Sequence, residues 1–130
     1  MENEKDKTVI NLKEIEKWLE NFFLDPLTTY LDETTFRIDL FETAEEYIIE
    51  ALLSGYIKNE ISVYLRDNII QIEAIKVGQK QDSLQRLVPF PFPVIHHEAV
   101  ATFEDGILEV HISKKTLNNG KNRSLIIEKN

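Results

Sequence analysis

Histidine and carboxylate side chains carry most acid–base and metal chemistry, and this chain has several in small groups. They are His96-His97, a single His111, Glu45-Glu46, and Glu14 with Glu16. None has a spacing that converges on a reacting atom. Adjacent strand residues face opposite sides, so His96 and His97 are a poor pair for one ion. His111 stands alone between Val110 and Ile112. The glutamate pairs read as solvated surface, not acid–base machinery. The four glycines are scattered, so there is no phosphate-cradling loop and ATP use is not implied. With no cysteine, disulfides, thiol catalysis and thiolate metal sites are excluded. No cofactor, metal or enzymatic activity is expected.

The chemistry left is adhesion. Leu125-Ile126-Ile127 is a short apolar peptide in a polar tail. Leu125 and Ile127, two apart, point the same way from an extended segment. The 12 residues Ser113 to Ser124 reach at most roughly 40 Å when extended, enough to touch a neighbouring subunit. Charge adds to this. Residues 113–130 carry five bases and one acid, whereas residues 34–112 carry thirteen acids and six bases. A basic tail beside an acidic body favours docking of the tail on the body, in cis or in trans.

The elements that must position this peptide follow from periodicity. Ile15, Trp18, Leu19, Phe22 and Phe23 recur at helical spacing and predict an amphipathic helix over residues 9–24. Asn11 would cap it, with Glu14 three residues on, and Pro26 would end it. So short a helix needs a partner for its apolar face: its own domain, another subunit or a client. From residue 36 the period falls to two. Seven strands are predicted: from Phe36, from Tyr47, Ile61–Leu65, from Ile69, Leu84–Phe90, Glu98–Glu104 and Gly106–Ile112, the last two joined at Asp105-Gly106. Seven short strands with polar turns give an all-β fold, an antiparallel immunoglobulin-like β-sandwich with an N-terminal amphipathic helix and a flexible C-terminal tail. The expected organisation is a helical arm over 1–34, the sandwich over 35–113 and the tail over 114–130.

At 130 residues, 42% apolar and 29% charged, the chain can bury a sizeable core. A net charge of −8 argues against nucleic acid as a partner. The charged start MENEKDK and the short apolar runs predict neither a secretory signal nor membrane insertion, so the cytoplasm is the expected location.

These residues resemble the small heat-shock protein family, whose shared unit is the α-crystallin domain. Ala101-x-x-x-Asp105-Gly106-Ile107-Leu108 matches its signature of Ala, three residues, Asn or Asp, Gly, an apolar residue and Leu. Arg86-x-Val88-x-Phe90-Pro91 is similar to its Arg-x-Phe-x-Leu-Pro, and the spacing from Pro91 to Ala101 is also the family's. Ile38 to Thr43 resembles its opening strand, and Leu125-x-Ile127 its C-terminal apolar-x-apolar motif. Trp18-Leu19-x-x-Phe22-Phe23-x-Asp25-Pro26 resembles the divergent members found in spore coats of endospore-forming bacilli, which would place the chain in a spore coat.

The resemblance implies a groove between two strand edges that receives the tail motif. Ile61, Val63 and Leu65 would form one wall, or simply be core; Val100, Thr102 and Phe103 would contribute to the other. It also implies that Arg86 pairs with an acid across a subunit interface, against the alternative of a solvated arginine. Two departures stand out: Ser54 replaces proline in a Leu-Pro-Gly turn, and the loop Val77 to Gln85 has only nine residues. That loop leaves scant room for the extra strand that many bacterial members swap to dimerise. Dimerisation by another edge, such as Leu84–Phe90, or a weaker dimer is expected. Three functions follow as expectations: ATP-independent holding of unfolding proteins by a homodimer or larger homo-oligomer, structural assembly with spore-coat proteins, or docking of one specific partner.

Overall fold

The computed structural model describes residues 12–78 and 83–128. Helix α1 (Leu12–Leu24) presents the expected stripe, with Ile15 buried in the main core and Trp18, Leu19 and Phe22 packed against it. Asn11, the expected cap, lies outside the described residues, as do residues 9 and 10 of the expected helix. Pro26 does more than end α1. It opens a second helix, α2 (Pro26–Thr34), for which Asp25 is the cap: its carboxylate accepts from the Leu27 N–H at 2.9 Å. Proline suits the first helical position because its fixed φ matches and the missing N–H has no partner there anyway.

Among the described residues nine strands follow. Five form one sheet in the order β1-β2-β7-β6-β9: β1 (Ile38–Glu42), β2 (Glu46–Leu52), β6 (His97–Glu104), β7 (Ile107–Leu117) and β9 (Ile127–Glu128). The other sheet runs β5-β4-β3-β8: β3 (Ile61–Arg66), β4 (Ile69–Ala74), β5 (Leu84–Pro89) and β8 (Arg123–Leu125). All pairings are antiparallel except β6 with β9. The alternate residues of β2, β3, β4 and β7 that face inward, among them Ile49, Val63, Ile72 and Val110, make one core between the sheets.

The β6–β7 hairpin turns at Asp105 (φ 55°) and Gly106 (φ 78°), the doubly left-handed geometry that suits the twist of paired strands. Gly106 is fixed for a second reason. A Cβ there would come within 3.1 Å of Ser54, and the Leu53 N–H donates to the Gly106 carbonyl at 2.7 Å. Ser54, in place of the expected proline, thus packs against the hairpin turn.

Two expectations about the tail need correction. Strand β7 does not stop at Ile112 but continues to Leu117. Lys114 and Lys115 reach Glu42 and Glu45 at 2.7 and 3.1 Å, so the expected boundary at 113 falls inside a strand. Ser-Lys-Lys-Thr has no apolar alternation, because its order comes from charge pairs and from the opposite strand. Nor are residues 123–128 a free tether, since they contain β8 and β9.

Candidate functional site

The tail and the two sheet edges meet. In β8, Leu125 pairs with Val63 and Arg123 with Leu65, both antiparallel on the edge of β3. One residue later the chain changes sheet: in β9, Ile127 pairs with Ala101 and Glu128 with Thr102, parallel to β6. Ile127 is 8% exposed within the core and Leu125 packs against it, while Ile126 between them is 86% exposed. The apolar-x-apolar spacing therefore sends two side chains inward and the middle one to solvent. Ile61, Val63 and Leu65 are buried on one side of this groove.

The other wall differs from expectation by one residue. Val100 is 47% exposed, and Thr102, on the same face as Val100, pairs in register with Glu128. Ala101 faces the core, with Ala99 and Phe103 packed against it on the same side. Side chains alternate along a strand, so choosing Val100 and Thr102 together with Phe103 mixed the two faces. The small side chain at 101 leaves room for Ile127.

A set of contacts that sequence reasoning missed holds the tail in place. The Asn118 N–H donates to the His96 carbonyl at 2.8 Å, and its side-chain amide to Glu98 at 2.7 Å. Asn122 accepts from the Asp67 N–H at 3.2 Å. Arg123 donates to the carbonyls of Ile95 at 3.0 Å and His97 at 2.7 Å. Gly120 has φ 83°, and a Cβ there would lie 2.3 Å from the His96 ring. The run Asn118-Asn119-Gly120 was a visible turn signal, but nothing in it named His96 as its neighbour.

Opposite this flank lies β5, paired on one side with β4 and unpaired on the other among the described residues. The helical arm lies along it. The Trp18 indole N–H donates to the Pro89 carbonyl at 2.8 Å, and its ring lies 4.7 Å from Phe90. Phe23 of the expected apolar face is exposed, beside Phe22. Arg86, expected to find its acid in another subunit, finds it in its own arm. Its Nη1 donates to Asp32 Oδ1 at 2.8 Å and to the Phe36 carbonyl at 2.6 Å, and the residue is 2% exposed. The unrecognised α2 is what brings Asp32 there, because a helix after Pro26 folds the arm back across β5.

His111 is also paired. Nδ1 meets Glu46 at 2.8 Å and Nε2 meets Glu109 at 2.9 Å. Burial works against the imidazolium, but the hydrogen bonds and charges of the two glutamates outweigh it and hold His111 above the ordinary histidine range. His97 Nδ1 lies 2.8 Å from the Ser113 carbonyl. Among the described residues no group of three or more His, Asp or Glu side chains is arranged to hold a metal. Glu14 and Glu16 are exposed on α1.

No protein-family model matches the chain. Spore coat protein M of Bacillus subtilis (strain 168) is 30% identical over 116 residues, which are 89% of this chain and 85% of that protein. Small heat shock protein C4 of Rickettsia felis is 30% identical over 98 residues, 65% of this chain and 60% of that protein. The chain belongs to the small heat-shock protein family. Its fold agrees: the Del-C4 mutant of hsp14.1 from Sulfolobus superposes with a TM-score of 0.52 at 22% identity, over 82% of this chain and 98% of that one. The two sheets are thus those of an α-crystallin domain. Among the described residues no helix is long and apolar enough to cross a membrane.

Proposed function

We propose that this small heat-shock protein holds unfolding polypeptides without ATP. The observation that carries the reading is the exposed apolar surface of the arm. Phe23 and Leu24 end α1, Leu27 and Tyr30 lie in α2, and all four are exposed, Leu24 being 72% exposed. Exposed apolar side chains gathered on one arm give broad, low-specificity capture. The neighbouring β5 edge has no strand partner among the described residues and would accept an extended client beside the arm. Heating an unrelated protein with and without this one tests the reading. Aggregation should be suppressed without nucleotide, and less so by a variant carrying Phe23→Ser, Leu24→Ser and Leu27→Ser. No suppression at any ratio would count against it.

Self-association belongs to the same proposal, as a homodimer or larger homo-oligomer. The tail motif Leu125-x-Ile127 that fills its own groove would equally fill another chain's, and the short 77–85 loop directs dimerisation to an edge such as β5. Light scattering of the full chain beside a version truncated after Asn119 tests this. A large assembly reduced to dimers by truncation supports exchange of the tail, whereas the same small species for both speaks against it. A second reading, structural assembly within a spore coat with client holding minor or lost, is favoured by the relationship to Spore coat protein M over most of both chains. Self-association without aggregation suppression would favour it.

A further inference from the structure

Between the helical arm and β5 lies a cleft of about 840 Å³. That is within the range of roughly 300–1,000 Å³ usual for small-molecule sites. Its walls are Trp18, Phe22, Leu27, Leu31, Ile69 and Leu87, from both helices, β4 and β5. Arg86 also lines it, and its fully buried Nε has no hydrogen-bond partner among the described residues. Both hydrogen bonds of the guanidinium leave from Nη1, so the Nε side of the fork is unused. A buried donor left without an acceptor is costly, so a ligand oxygen that reached it would gain more than it does in water.

The charges around the cleft choose the ligand class. Arg86 is already held by Asp32 at 2.8 Å. Lys17 stands one helical turn from Glu14, both lining the cleft, and Asp25 adds a further carboxylate. An anion would find no uncompensated positive charge. We propose that the cleft binds an uncharged, largely apolar small molecule bearing one hydrogen-bond-accepting oxygen, with its apolar body between Trp18, Phe22 and Leu27 and its oxygen on the Arg86 side chain. The cleft shares Leu27 with the surface proposed to hold polypeptides, and saturation at one dye per chain is what distinguishes a defined site from that surface.

Trp18 is the single tryptophan of the chain and lines the cleft, so it reports occupancy directly. The full chain would be titrated with Nile red, an uncharged dye with a carbonyl oxygen, and energy transfer from Trp18 recorded. The expected result is saturable binding of one dye per chain, independent of protein concentration. Leu27→Glu, which puts a charge on an exposed wall position, should weaken binding about tenfold or more. Ile126→Glu, at an exposed apolar residue of the tail, should leave it unchanged. Methyl decanoate should displace the dye at lower concentration than either decanoate or decane. Binding that never saturates, that falls as protein concentration rises because a second copy covers the cleft, that responds equally to both variants, or that prefers decanoate or decane would overturn the proposal.

Discussion

The two flanks of the sandwich handle their sheet edges in opposite ways. On the tail flank, β3 and β6 are both covered by the chain's own residues 123–128, and Asn118, Asn122 and Arg123 fix the segment by hydrogen bonds to backbone groups and Glu98. On the arm flank, β5 has an edge with no strand partner among the described residues, beside a cleft and exposed apolar residues. Unpaired strand edges are a hazard that proteins cover or put to use. The closed flank is fixed by the chain's own tail, whereas the arm flank is fixed by the packing of Ile15, Trp18 and Phe22 and by the Arg86–Asp32 pair.

The largest test of that contrast is Arg86→Ala. Removing one partner of a buried pair leaves the other uncompensated, and a loss of about 3 kcal/mol is expected in chemical denaturation. Asp32→Asn, which strips the counter-charge from the buried Arg86 guanidinium, should cost about as much; a negligible loss for either variant would show that the pair does not anchor the arm. On the closed flank, Ile127→Ala should cost about 2 kcal/mol by cavity formation at a partly adjustable site. Ile126→Ala should change stability by less than about 0.5 kcal/mol. Similar values for the two would mean that the tail does not occupy the groove in solution. Gly120→Ala comes next, at about 1–2 kcal/mol for the left-handed strain, with a further cost because the new Cβ displaces the His96 ring. Hydrogen exchange should quicken over residues 118–128 and not in α1 or α2. Exchange that quickens everywhere would remove the distinction between the flanks.

The smallest effect concerns pH. His111 has its folded pKa raised above the ordinary 6.5, so its pairing with Glu46 and Glu109 is fully stabilising below that value. That contribution is lost as pH rises through the raised folded value. His111→Gln should flatten the decline in stability above pH 6.5, and an unchanged profile would show that the β2–β7 pairing is indifferent to this charge.

Much of this was legible in the sequence. Each of the seven strands expected from period-two alternation is present, because inward residues such as Ile70, Ile72 and Ala74 must alternate to fill a core between sheets. The Asp105-Gly106 turn was readable because few residue pairs tolerate its backbone. What escaped notice depends on partners distant in sequence. Helix α2 was hidden because Pro26 reads equally as an end and a beginning. The parity of the β6 wall was obscured by Thr102 and Val100, which are as strand-like as Ala101. The acid for Arg86 could not be located without α2. The tail's place in its own groove depends on Asn118 and Arg123 bonding to backbone carbonyls, and every residue type carries such a carbonyl.

The change of sheet between Leu125 and Ile127 also bears on how the chain matures. The cover for the β3 and β6 edges comes from residues made well after both strands. During synthesis both strands are therefore complete before the segment that covers their edges has been made.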